Sequence, residues 1–268
     1  MKRVHVFEFG DAAWFPSWLR DSMTNVIVVM GRAIGVDEVL SELVSRVLAQ
    51  QRIDRIVDLG SGAGGVMPDV LERVRTNGDT AETSLLLTDF YPNSDAIAAL
   101  DGSASGHVRY ERNSVDATDL ASAPAGLKAM VNCFHHMRPE QARSILESAK
   151  ESRQPLLIYE MGDNKIPFAL WCVALPIALP LVALMCLVFT PFVRPLTARQ
   201  LIFTYAIPLI PIFWAWDGQA SNPRVYTSED LDELLLGLDS EEYTWEKGEA
   251  KTPRGAKMGN YLLGLPAS

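Results

Sequence analysis

A short apolar segment, Arg55–Leu59, runs straight into Gly60-Ser-Gly-Ala-Gly-Gly65, and similar apolar segments recur at Ser84–Thr88, 108–111, 129–132 and Leu156–Glu160. Between them lie helical patterns. Val36–Gln51 carries Val36, Val39, Leu40, Leu43, Val44, Val47 and Leu48 at the spacing of one helix face. Met67–Arg75 has Pro68 in its first turn, where proline is tolerated, and residues 94–100 and 139–152 are further helices. A turn is expected at Asn77-Gly78-Asp79. Strands alternating with helices on this period predict a parallel sheet covered on both faces. The chain closes with two adjacent strands, 243–247 and 257–263, joined by Thr252-Pro-Arg-Gly255, after a helix at 230–238 that the capping box Thr227-Ser-Glu-Asp230 introduces. The expected fold class is therefore α/β: a doubly wound, seven-stranded, mostly parallel sheet with a C-terminal antiparallel hairpin, plus a helical apolar insert.

Four parts follow along the chain. Residues 1–35 form an N-terminal aromatic arm or cap, with Phe7, Phe9, Trp14, Phe15 and Trp18. Residues 36–164 form the core, 165–222 the hydrophobic insert, and 223–268 the helix and hairpin that complete the sheet. The arm reads either as a helix or arm packed on the domain or as a cap whose rigid aromatic rings wall a ligand pocket. Met1-Lys2-Arg3 is followed by Glu8, Asp11, Arg20 and Asp21 with no apolar run between, so no secretion signal is expected.

Charge narrows the function. The 268 residues carry 24 Lys and Arg against 33 Asp and Glu, a net charge of −9, which gives no general attraction to phosphate backbones and argues against nucleic acid. Cys133, Cys172 and Cys186 show no CxxC spacing, so neither a disulfide framework nor a structural zinc site is expected, and a reducing, cytoplasmic compartment fits.

The glycine loop satisfies GxGxxG, the dinucleotide fingerprint, with Asp89 where a ribose-binding acid belongs. Asp58, two residues before the first glycine, changes that reading. Acids Asp58, Asp89 and Asp116 close three successive strands, a set suited to a ligand with a cationic amino-acid tail, a sugar diol and an adenine amine. A pyrophosphate prefers helix amides without a nearby acid. The string Val57-Asp-Leu-Gly-Ser-Gly-Ala-Gly64 resembles the first motif of the class I S-adenosylmethionine (SAM)-dependent methyltransferases, and the resemblance extends over residues 53–161 and the terminal hairpin. It implies SAM as cofactor. Gly60, Ser61 and Gly62 would let the backbone approach it, the glycines because a Cβ there would clash. Asp58 would hold the amino-acid end, Asp89 the ribose hydroxyls, and Phe90 would lie against adenine. Asp116 would take the adenine amine, with Val115 and Ala117 supplying amides.

Asn132-Cys-Phe-His-His-Met137 ends the fourth strand, where this fold meets its acceptor. Asn132 is placed with the cofactor-binding set. His136, and second His135, is the candidate base, since histidine takes a proton near neutral pH. The alternative is that both cap the strand end. No metal is expected, because two adjacent histidines do not readily face one ion and no third ligand is evident. The segment is neither Asp-Pro-Pro-Tyr nor Asn-Pro-Pro-Phe, which points to a small-molecule acceptor. Tyr159 and Glu160 are further pocket candidates.

Residues 166–216 contain only two charges, Arg194 and Arg199. Residues 166–193 exceed the ~20 residues that cross a bilayer, yet Pro167, Pro176, Pro180, Pro191, Pro195, Pro208 and Pro211 are expected to break long straight helices, though membrane helices tolerate proline better. Both flanks belong to one domain, so the chain must return to the side it left. A spanning hairpin would export the two arginines against the positive-inside tendency. The insert is therefore expected to be a shallow re-entrant or interfacial element, peripheral or monotopic at the membrane, in preference to two spans. A soluble lid over the pocket or a homodimer contact is the other reading. The function expected is SAM-dependent methyl transfer to a small, apolar or lipid-like acceptor with histidine assistance. Its alternatives are a non-methylating use of SAM, such as intramolecular cyclisation, and a non-catalytic membrane-attached SAM-binding module.

Overall fold

The computed structural model describes residues 1–76, 80–102 and 106–267, and the turn expected at Asn77-Gly78-Asp79 lies outside them. Five strands, β1 (Arg55–Leu59), β2 (Ser84–Thr88), β3 (Val108–Tyr110), β4 (Leu127–Val131) and β5 (Leu156–Glu160), pair in parallel. The last two, β6 (Tyr243–Lys251) and β7 (Lys257–Pro266), form an antiparallel hairpin, and β7 inserts between β5 and β6. The order is β3-β2-β1-β4-β5-β7-β6. This is the doubly wound, seven-stranded, mostly parallel sheet expected from the sequence.

Both faces of β1 are buried, and its alternation assigns them. Ile56 faces one core with Leu85 and Leu87, closed by Val39, Leu40, Val44 and Leu48 of α2 (Val36–Gln51) and Val70 and Leu71 of α3 (Met67–Arg75). Val57 and Leu59 face the other with Met130 and Ile158, closed by Ile145 and Leu146 of a helix over Pro139–Glu151 and Leu234 of one over Ser228–Leu235. The latter helix begins two residues before the expected 230. Its N-cap is Thr227, whose hydroxyl accepts the Asp230 amide (3.1 Å) while the Asp230 carboxylate accepts the Thr227 amide (3.0 Å). Strand order reverses between β1 and β4, and the carboxyl ends of these two strands open the crevice where such sheets bind ligands.

The N-terminal segment is both arm and helix. Residues 1–8 carry no regular secondary structure, a short 3-10 turn Phe9–Asp11 and a second turn at residues 13–14 follow, and α1 (Ser17–Ile34) then runs to Gly35, whose φ of +83° only glycine adopts without strain. The helix was written in Leu19, Met23 and Val26, three and four residues apart. These side chains pack on the insert, where Phe15, Leu19, Met23, Val26 and Val29 bury Cys186, Val193, Ile210 and Trp214 in a third core.

The insert itself is helical. A 22-residue helix, Phe168–Phe189, runs unbroken through Pro176 and Pro180, contrary to the break expected at those two positions. Each proline removes one backbone hydrogen bond, but the helix around them is Ala- and Leu-rich, and the chain turns instead at Pro191 and Pro195. It returns through Ala198–Leu201, a π-helical stretch Ile202–Ala206, and Leu209–Arg224, with a bend of 79° between the return's two parts. In chain order the helices after α3 are α4 (Ser94–Asp101), α5 (Pro139–Glu151), α6 (Phe168–Phe189), α7 (Ala198–Leu201), α8 (Leu209–Arg224) and α9 (Ser228–Leu235).

Candidate active site

The carboxyl end of β1 carries Asp58, two residues before the glycine loop. Asp58 is buried and accepts the Ser61 hydroxyl at 2.5 Å, and among the described residues no cation pairs with it. Burial, helped by the nearby Asp89 charge and opposed by the Ser61 bond, pushes its carboxyl up to about 7. Ser61 also ties the loop to β2, its amide donating to the Thr88 carbonyl (2.9 Å) and its Oγ accepting the Thr88 amide (3.1 Å).

The glycines divide by purpose. Gly60, at φ +73°, sits over Cys133, whose Sγ a Cβ would meet at 3.3 Å. Gly62, at φ +51°, has nothing within 4 Å of a Cβ position, so open space lies above the loop. The Gly62 amide donates to Asp89 Oδ2 (2.9 Å) and its carbonyl accepts the Tyr110 hydroxyl (2.9 Å). Asp89 Oδ1 accepts the Tyr91 amide at 2.8 Å. Each carboxylate oxygen retains a second acceptor direction, so Asp89 shapes the loop and can still receive hydroxyls. Asp58, the glycine loop and Asp89 therefore form one connected rim.

The outer adenine candidates are less gathered. Phe90 stands beside Asp89, 50% exposed and edge-on to Tyr91. Asp116 is exposed, and its Oδ1 accepts both the amide (2.8 Å) and hydroxyl (2.7 Å) of Thr118, a local turn. The Val115 amide is committed to the Asp89 carbonyl at 3.0 Å, so it cannot make the ligand contact expected of it. Asn132, at φ +53°, spends its side-chain oxygen on the Met161 amide (2.7 Å) and so latches β4 to β5. Tyr159 is not a pocket residue. It is fully buried, with its hydroxyl on the Met258 carbonyl (2.5 Å) in the next strand.

No known protein family's model matches the chain, and no curated protein matches it in sequence. Among solved structures it is similar to an O-methyltransferase family protein from Burkholderia thailandensis, with 15% identity and a TM-score of 0.48, covering 91% of this chain and 58% of that one. A putative O-methyltransferase from Nostoc punctiforme shares 10% identity at a TM-score of 0.49, covering 98% and 64%. Human N-acetylserotonin methyltransferase in complex with SAM shares 12% at 0.44, covering 85% and 52%. This chain thus spans between half and two thirds of each of them. At such identities and TM-scores the likeness says nothing of what this chain binds or acts on.

Beyond β4, the turn Phe134–His136 places two histidines side by side, their rings 4.2 Å apart. Each has its own acid. The buried His135 meets Glu160 of β5, with Nδ1 at 2.8 Å from Oε2 and its amide donating to Oε1 at 2.9 Å. His136 Nδ1 lies 2.7 Å from Oδ1 of Asp11 on the N-terminal arm. A carboxylate partner at Nδ1 favours the proton there and Nε2 as the accepting nitrogen, and His136 Nδ1 also lies 3.4 Å from Arg224 Nη2.

The arm acids were not singled out in the sequence, nor was Arg224 at the end of α8. Arg224 is wholly buried and forks across the arm, NH1 to Glu8 Oε1 at 2.9 Å and NH2 to Asp11 Oδ2 at 2.7 Å. Asp217, one helix turn and more upstream, accepts the Phe9 and Gly10 amides, both at 2.8 Å. Burial works against the Asp11 charge, but the His136 hydrogen bond and the His136 and Arg224 charges outweigh it and hold the carboxyl well below its usual range. Glu8 goes the other way, since burial exceeds the pull of His136 and Arg224 and raises it to about 7. The one available signal was acids set between aromatics, in Phe7-Glu-Phe-Gly-Asp11.

Donor atoms of Glu8, His135 and His136 lie within 4.8 Å of one another. The arm thus supplies the third ligand type that the sequence did not reveal. The position of a cation beside Glu8, however, is already taken by the Arg224 guanidinium.

Proposed function

We propose that this chain transfers a methyl group from SAM to a small, apolar or lipid-like acceptor bearing a protonated nucleophile. The observation that carries the reading is the Asp58 carboxylate, buried with no cation beside it among the described residues, at an open, positive-φ glycine loop. A buried unpaired carboxylate is costly, and a ligand ammonium would supply the missing charge. The donor set fits SAM: Asp58 for the amino-acid end, the backbone of Gly60 to Gly62 for close approach, Asp89 for the ribose hydroxyls, and Phe90 with Asp116 toward adenine. When bound, SAM supplies a methyl group on a cationic sulfur that is a good leaving group.

The chain's own task is then alignment and proton removal. His136 Nε2 would take the acceptor's proton as the acceptor's oxygen or nitrogen bonds to the methyl carbon and the carbon–sulfur bond breaks, its electron pair leaving with the neutral thioether, and Asp11 would stabilise the imidazolium through Nδ1. Glu160 holds His135 in the same sense, which makes His135 the neighbouring polar wall. The arm brings Asp11 and Glu8 over this edge, so an acceptor would be roofed by an aromatic-rich segment, and the apolar insert packed on that segment favours a greasy acceptor at a bilayer.

The test is release of S-adenosylhomocysteine from SAM with a panel of phenols, long-chain alcohols and fatty acids in detergent micelles. His136→Ala should keep SAM binding and lose most turnover, and unchanged turnover would remove His136 as the base. Methylthioadenosine formed from SAM alone would replace methyl transfer by cyclisation.

A further inference from the structure

The insert leaves a large apolar surface uncovered. From Phe168 to Phe192 it is long and apolar enough to cross a membrane, yet only 6% of its most apolar window is buried. Ile166, Leu170, Val173, Ile177, Leu181, Leu184 and Val188 are each more than half exposed. Isolated exposed aliphatics are ordinary, but a contiguous face of this length is a docking surface.

The tip of the hairpin decides how that face can meet a bilayer. A helix of 22 residues spans about 33 Å, enough for the hydrocarbon core. The residues beyond it nevertheless fold back on α1. Gln200 Nε2 donates to the Ser22 carbonyl (3.3 Å), the Arg199 guanidinium lies 5.4 Å over the Trp18 ring, and Phe203 lies 4.7 Å from the same ring. Helix α1 is in turn tied to the sheet domain at both ends. Near its start, Asn93 Nδ2 donates to Asp21 (3.0 Å), and near its end Arg32 donates to Asp69 of α3 (2.7 Å). A tip on the far side of a bilayer would have to take α1 with it and break these bonds.

The geometry points to an in-plane, monotopic seat, in which the exposed face of α6 enters one leaflet of an anionic bilayer while Arg194 and Arg199 stay at the headgroups of that leaflet. Charge supports this occupant. In a chain of net charge −9, the two formal charges between residues 166 and 216 are both positive, both exposed, and both at the tip. Tyr205 and Phe192, also exposed, stand in the same region, where interfacial aromatics sit. This seat is independent of the methyl-transfer reading, because no residue in it belongs to the candidate active site.

The experiment is flotation of the full chain with phosphatidylcholine vesicles, with and without phosphatidylglycerol, followed by a topology measurement. The chain should float with the anionic vesicles, and Arg194→Gln and Arg199→Gln should each weaken partitioning about fivefold. In a Cys172→Ser background, the thiol of Arg194→Cys should react with a membrane-impermeant maleimide added outside intact vesicles. A thiol protected until the vesicles are lysed means a spanning hairpin and overturns the in-plane seat. Failure to float also overturns it, whether the chain is monomeric or self-associates through α6, as a mass drop on Val173→Gln with Ile177→Gln would show for the second case.

Discussion

His136 Nδ1 and Asp11 Oδ1 lie 2.7 Å apart, although 125 residues of chain separate them. The contact joins the strand-end histidines to an arm that contributes no strand to the sheet. Replacing Asp11 by Asn keeps the shape and removes the charge that, on the proposed mechanism, stabilises the His136 imidazolium. Asp11→Asn should lower turnover about tenfold to a hundredfold while the SAM dissociation constant stays within twofold. The split between turnover and binding is the readout, because a merely structural role would lower both together.

On the proposed reading, Asp58 makes SAM binding a proton-linked event. Its carboxyl is raised to about 7 by burial, so below that pH it is protonated in the free protein. A cationic ligand draws the ionised form, and SAM binding near neutral pH should release a proton. Titration calorimetry in two buffers of different ionisation enthalpy measures this directly, and Asp58→Asn should abolish the difference.

The same shift has a consequence for stability. A carboxyl whose folded pKa lies above its unfolded one adds stability below the unfolded value, and this is lost as pH rises through the folded value. For Asp58 the window runs from the ordinary aspartate range near 4 up to about 7. Thermal melts of the ligand-free protein should show Asp58→Asn gaining on the parent chain as pH rises across that window, and SAM should narrow the gap.

Gly62 separates backbone strain from ligand space. At φ +51° an alanine costs about 1–2 kcal/mol of stability, and its Cβ meets no protein atom within 4 Å. Gly62→Ala should therefore shift the urea midpoint modestly and weaken SAM binding by more than that strain accounts for. Equal losses would mean that the cofactor does not pass over Gly62.

Arg224 holds the arm. Its guanidinium is fully buried between Glu8 and Asp11, and removing one member of such a cluster typically costs about 3–5 kcal/mol. Arg224→Met should lower the unfolding midpoint sharply and release the arm to protease. Arg224→Lys should recover little, since a single ammonium cannot reproduce the two-pronged contact.

Much of the sheet was legible because strands buried on both faces are short apolar runs, and because Gly60 to Gly65 punctuate β1. That Asp58, Ser61, Gly62 and Asp89 lie together at one edge was legible for the same reason, since they are local to strand ends. What escaped notice was long-range. Glu8 and Asp11 look like solvent-facing acids in an aromatic arm, and Arg224 looks like a helix-ending cation until α8 brings it beneath them. Val115 was misjudged because its amide is taken by the Asp89 carbonyl, a bond between two loops that no spacing reveals. Pro176 and Pro180 mark no boundary, since surrounding Ala and Leu keep the helix closed.

The most direct measurement is isothermal titration of the purified chain with SAM and with S-adenosylhomocysteine, repeated on Asp89→Ala. One site per chain for both ligands, lost in Asp89→Ala while the fold is retained, is the expected result. No binding of either ligand by the folded parent chain would contradict the assignment of this edge as a SAM site.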